Sequence, residues 1–186
     1  FRCLNINNPT NEVKSIADEL YAIMLEDNIV LKMKLGLPVT EIPDMDYETA
    51  MLKVEQAKTF IKKINAVDRK NISHTDDLTL LMMRQHLQTR VDGLPHYWNG
   101  FSITPYMFGS INRGMQQIFL TYQFDDRNDQ DIYLSLMSEY ADHMNQQLEK
   151  LKGQDDRGIR LPKPELPLVT SLLDQYKSGI DATFIP

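Results

Sequence analysis

The chain has 186 residues, of which 42% are hydrophobic, with 26 acidic and 20 basic side chains, eight Gly, ten Met and one Cys. That length buries a core without covalent staples, and the apolar content excludes a disordered, low-complexity or collagenous chain. A net charge of −6 with no basic block excludes binding to a nucleic-acid backbone, and the lone Cys3 excludes an internal disulfide.

Scarce Gly and abundant Met favour helix, and proline marks where long helices are permitted. Residues 10–37, 44–94 and 106–161 contain no Pro. In chain order, Val13, Ile16, Ala17, Leu20, Ile23 and Met24 recur at helical spacing, so a first helix is expected, opened by Thr10 or Asn11. Tyr47, Met51, Val54, Ala57, Ile61 and Ile64 predict a second, with Asp44 or Asp46 at its start. The third is expected from about Thr75 to Asp92, with Leu78, Leu81 and Met82 on one side and Leu80, Met83, Leu87 and Val91 beside them, a stripe wide enough to be buried on two sides. Ser110 to Tyr122 predicts a fourth. Tyr133, Leu136, Met137, Tyr140, Met144, Leu148 and Leu151 predict a fifth, capped by Asn128 with Asp129 and Asp131 in its first turn. A sixth starts near Pro164 or Pro167 and carries Val169, Leu172, Leu173 and Tyr176. Gly36, Gly93, Gly153 and Gly179 each follow a periodic segment and are expected to act as left-handed helix stops. No window alternates with period two. The fold class is therefore all-α: a bundle of about six helices, with residues 1–186 forming a single helical domain.

Gly93 to Asn112 is free of Asp, Glu, Lys and Arg over about 20 residues, the length of a membrane span. Pro95, Pro105, Gly100 and Gly109 interrupt it, so no membrane span is expected; it reads as an irregular aromatic connection. It gathers Tyr97, Trp98, Phe101, Tyr106 and Phe108. Such rings can wall a substrate cleft, since they bury large areas and present polar edges, or they can plug a gap between helices. Tyr97, Trp98 and Tyr106 are the candidate substrate-binding residues.

Metal and phosphate signatures fail on inspection. His74, His86, His96 and His143 are followed by Thr75, Leu87, Tyr97 and Met144, so no His-Glu pair exists and no two His lie one turn apart. Asp125 to Asp131 is acidic, but a calcium loop starting at Asp126 would put Asp131 at the Gly position and Met137 at the closing Glu. Gly109 to Gly114 has phosphate-loop glycine spacing, but Met115 and Gln116 stand where Lys and Ser or Thr are needed. No catalytic residue, metal ligand or cofactor is expected in this chain.

Four segments in order carry a resemblance: Leu35-Gly36-Leu37-Pro38, Tyr97-Trp98 with Ile103-Thr104-Pro105-Tyr106, Tyr133-Leu134 with Leu136, and Gly158-Ile159-Arg160-Leu161-Pro162-Lys163. From about residue 12 to 186 the chain resembles the N-terminal part of a bacterial family known as domain of unknown function 885. Its members are similar to helical zinc metallopeptidases and carry a His-Glu … His segment far toward the C-terminus, which nothing here matches. The resemblance thus implies an N-terminal lobe that lines a substrate cleft, with zinc held elsewhere in the intact protein. It implies the remainder of its own polypeptide as partner, a peptide substrate, and a cell-envelope or extracellular location.

The termini agree with that expectation. The chain opens on Phe1, so the lack of a signal pattern says little about export, and its end at Phe184-Ile185-Pro186 predicts that more chain follows. Residues 1–186 alone are expected to be inactive. The alternative reading is a self-contained, acidic helical interaction module.

Overall fold

The computed structural model describes residues 9–105 and 111–183. Among these there are seven α-helices and no strand, which makes the chain an all-α multi-helix protein. The helices are α1 (Pro9–Glu26), α2 (Ile29–Lys34), α3 (Tyr47–Ala66), α4 (His74–Gly93), α5 (Ile111–Thr121), α6 (Arg127–Asp156) and α7 (Leu166–Thr183). Short 3₁₀ turns stand at Arg69–Asn71, Leu94–Asn99 and Lys163–Glu165. The chain divides into two compact units: residues 1–38 with 43–97, and residues 39–42 with 98–186.

In the first unit, α1 buries Val13, Ile16 and Leu20, and α3 buries Val54, Ala57, Phe60 and Ile64. These spacings of three and four put each set on one helix face. Leu80 and Leu87 of α4, two turns apart, close the core against them, with Val67 from the α3–α4 connection. Each fully buried Leu or Ile contributes roughly 1.5–3 kcal/mol of transfer free energy. Ile61, Ile72, Met83 and Val91 pack around the rim of this cluster.

Side chains start these helices where the backbone lacks partners. Asp46 accepts from the Thr49 N–H at 2.6 Å, Ser73 from Asp76 at 3.1 Å, and Asn28 from Leu31 at 3.0 Å. Asn28 opens α2, a short helix that hydrophobic periodicity does not reveal because it spans less than two turns. Gly36 ends it at φ +67°, with the Leu37 N–H donating to Lys32 O at 2.9 Å, a closure that needs a residue free of a Cβ. Lys32, 6% exposed, pairs with Glu26. At the end of α1, Asp27 takes Lys53 of α3 on Oδ1 at 3.0 Å and Arg90 of α4 on Oδ2 at 3.3 Å, so one carboxylate ties three helices together.

In the second unit, α6 is a single helix of 30 residues. Leu136, His143, Gln147 and Gln154 lie along it as a buried stripe with spacings of seven, four and seven. Segment 39–42 joins this unit through buried Val39 and Ile42. The Ile42 N–H donates to Glu139 Oε2 at 2.7 Å, and Ser135 Oγ donates to Glu139 Oε1 at 2.8 Å.

The ends of α6 differ from the sequence expectation. Its N-cap is Asp126, two residues before Asn128: Asp126 Oδ1 accepts from the Asn128 and Asp129 N–H groups, and Asp129 Oδ2 accepts from those of Asp125 and Asp126. This reciprocal box satisfies more orphan donors than Asn128 would from inside the first turn. Its stop is Gly158 at φ +70°, where the Ile159 N–H donates to Gln154 O, and Gly153 lies inside the helix. Gly93 and Gly179 are helical as well. At Gly93 the chain runs directly from α4 into the 3₁₀ turn, so no left-handed residue is used.

Candidate functional site

Leu94–Asn99 forms a 3₁₀ turn that accommodates Pro95 near its start, where a missing backbone N–H costs little. Residues 100–105 continue irregularly, with Ser102 buried. The turn carries two of the three candidate residues side by side in sequence, Tyr97 in the first unit and Trp98 in the second. Tyr106 lies outside the described residues.

Tyr97 is held at both ends of its side chain. Its ring meets Tyr47 edge-on with centroids 5.2 Å apart, an arrangement that the aromatic quadrupole favours. Its O–H donates to the Met45 carbonyl at 2.8 Å. Burial, and then the negative charge of Asp46, push its phenol above the ordinary value of 10.0. At neutral pH Tyr97 is therefore a protonated donor, with its proton committed to the 43–46 connection.

Trp98 is seated on α6. Gly153 leaves a gap that the indole fills, and a Cβ there would stand 2.5 Å from Cζ3 and 2.8 Å from Cη2. The Arg157 guanidinium lies over the ring, 4.0 Å from its centroid, and also donates to Gly153 O at 2.7 Å. Gln154, only 1% exposed, donates through Nε2 to Trp98 O at 2.7 Å and to Gly100 O at 3.3 Å. One turn of α6 thus fixes the backbone, the edge and one face of this tryptophan, while the residue itself remains partly exposed.

Gly153, Gln154 and Arg157 belong to this site, although sequence reasoning assigned none of them to it. The available signal was a glycine inside an otherwise unbroken helical period, which marks close approach as readily as a stop.

The remaining sequence candidates resolve into structural roles. His74, His86 and His96 are exposed, and His143 is buried on α6. The acidic run at 125–129 serves the cap of α6. Of the segment with phosphate-loop spacing, Gly109 and Ser110 lie outside the described residues, and α5 starts at Ile111. Among the described residues no group of three His, Cys, Asp or Glu side chains could hold a metal ion, and no helix is long and apolar enough to cross a membrane. Comparisons with protein-family models, curated proteins and solved structures find no match to this chain.

Proposed function

We propose that this chain is a non-catalytic helical lobe of a metallopeptidase-like hydrolase, covered on one side by the remainder of its own polypeptide and contributing an aromatic wall to a peptide-binding cleft. The observation that carries this reading is the outer side of α4. Leu81 and Met82 follow Leu78 there by three and four residues, about one turn, and the three are 45%, 42% and 73% exposed, while Leu80 and Leu87 of the same helix are almost fully buried. A helix with apolar residues on two sides is designed to be covered on both. The family resemblance supplies the occupant, a longer polypeptide in which the lobe precedes the metal-binding segment.

Trp98 suits the finer part of the reading. Substrate walls work by holding their rings in place before the substrate arrives, and the α6 seat does that for Trp98. Among the described residues no group of His, Cys, Asp or Glu side chains fits a zinc ion, so in this reading the metal belongs to the remainder of the polypeptide.

The test joins residues 1–186 to the rest of the natural polypeptide. Adding that remainder to the purified lobe is expected to raise its melting temperature, and Met82→Glu to abolish the gain. In the joined protein, Trp98→Phe is expected to raise KM for peptides severalfold with little change in kcat, the signature of lost uniform binding. A continuation without any His/Glu zinc-ligand cluster, or zinc-dependent peptide turnover by 1–186 alone, would overturn the proposal. A lobe that melts cooperatively, stays monodisperse and ignores the remainder would favour the self-contained interaction module.

A further inference from the structure

A second aromatic group in the second unit takes no part in that reading. At the α5–α6 junction Tyr122, Phe124 and Tyr133 form a closed trio, with centroid separations of 5.0, 5.1 and 5.2 Å and tilted or edge-on planes. Phe119 extends it inward, 5.5 Å from Tyr133 and 5.7 Å from Tyr140. The inner rings explain themselves as packing. Phe124 is 54% exposed, so the trio offers ring surface to solvent.

The segment that leads on from this surface is predominantly acidic. The chain runs from Phe124 straight into Asp125, Asp126, Asp129 and Asp131, against a single cation, Arg127. Asp129 and Asp126 are close enough to Tyr122 that, after burial, their negative charge helps to hold its phenol above 10.0. An aromatic face bordered by carboxylates attracts a cation twice over, through the ring quadrupole and through the local field. A guanidinium suits it better than an ammonium, because it is planar, weakly hydrated and able to stack while donating sideways.

We propose that Tyr122, Phe124 and Tyr133, bordered by the acidic segment Asp125 to Asp131, form a docking surface for a basic peptide segment that lays an arginine guanidinium on the rings. The occupant follows from charge complementarity at this junction and does not depend on the hydrolase reading. The capping carboxylates keep their helix duties, since the capping bonds fall on Asp126 Oδ1 and Asp129 Oδ2 and the second oxygen of each can accept from a peptide N–H.

The probe is an acetylated, amidated Gly-Arg-Gly-Arg-Gly peptide, titrated into the full chain and followed by NMR, with its citrulline counterpart as a neutral control of the same shape. Saturable shifts confined to the rings of Tyr122, Phe124 and Tyr133 and the amides of residues 124–131 are expected, at least tenfold stronger for arginine than for citrulline. Phe124→Leu and the double variant Asp125→Asn, Asp131→Asn should each weaken binding severalfold. Both spare the capping box, so an unchanged far-ultraviolet spectrum confirms that fold is retained. Equal binding of the citrulline peptide, shifts centred elsewhere, or no saturable shift up to about 10 mM peptide would overturn the proposal. So would shifts that track protein concentration without peptide, which would assign the patch to a second copy of the chain.

Discussion

The indole of Trp98 occupies the space that a side chain at Gly153 would need, with ring carbons 2.5 and 2.8 Å from the position of a Cβ. The ring has little freedom to retreat, since Gln154 holds its backbone carbonyl and Arg157 covers its face. Gly153→Ala should therefore destabilise the protein even though it adds helix propensity of about 1 kcal/mol, because overpacking a fixed ring costs roughly 1–3 kcal/mol. A net fall of about 2–4 °C in melting temperature is expected. In a Trp98→Leu background the sign should reverse, with Gly153→Ala now stabilising. A cycle of thermal melts on the four proteins reads the coupling directly.

That contact also shows where sequence reasoning stops. Val13, Ile16, Leu20, Val54, Ala57 and Ile64 were legible as core because period and burial coincide when a helix has one apolar face. α4 was legible as apolar on several sides, but nothing in its own period says that Leu80 faces the core and Leu81 faces solvent; the packing of α1 and α3 decides it. The candidate site was legible only as a cluster of rings. Which rings are fixed, and by what, depends on Gly153, Gln154 and Arg157, more than fifty residues downstream of Trp98, and tertiary contacts of that separation leave no local pattern. Of the four expected glycine stops Gly36 is left-handed, while the one expected at Gly153 stands at Gly158 for a related reason, since the two look alike until the helix is placed.

The capping box of α6 separates two neighbours that sequence alone confuses. Asp126 accepts from two orphan N–H groups and Asn128 only donates one, so their side chains should not be equivalent. Asp126→Ala should cost about 1 kcal/mol, and Asn128→Ala no more than a few tenths. Denaturant titrations of the two variants check this, and an equal loss in both would place the cap at Asn128 after all.

Asp27 sits 21% exposed between Lys53 and Arg90, which are themselves only 28% and 31% exposed. Asp27→Asn keeps the shape but leaves two half-buried cations facing a neutral amide. The expected loss is about 1–2 kcal/mol, above that of an exposed surface pair, because one carboxylate serves both partners. The loss should shrink at roughly 1 M salt, where the Debye length falls to about 3 Å and the stranded cations repel less. Urea melts at low and high salt measure it. A loss below a few tenths at low salt would mean that water already does the work of the carboxylate.

Tyr97 gives the first unit a defined alkaline limit. Burial and Asp46 disfavour its phenolate, so the folded-state value stands above the unfolded value near 10. Between those two values the native state holds the proton more often than the unfolded state, and stability must fall as pH rises. The contribution is therefore complete below pH 10 and is lost as pH climbs through the folded value. Ionisation also removes the O–H that donates to Met45 O, which leaves two acceptors facing each other. Tyrosinate absorbance should show Tyr97 and Tyr122 among the late-titrating phenols, and Tyr97→Phe should remove one of them. The same substitution costs the hydrogen bond at neutral pH, about 1 kcal/mol, so the wild-type and variant stability curves should converge as pH rises above 10. Curves that stay parallel through that range would show that the Tyr97 proton is not what holds the 43–46 connection.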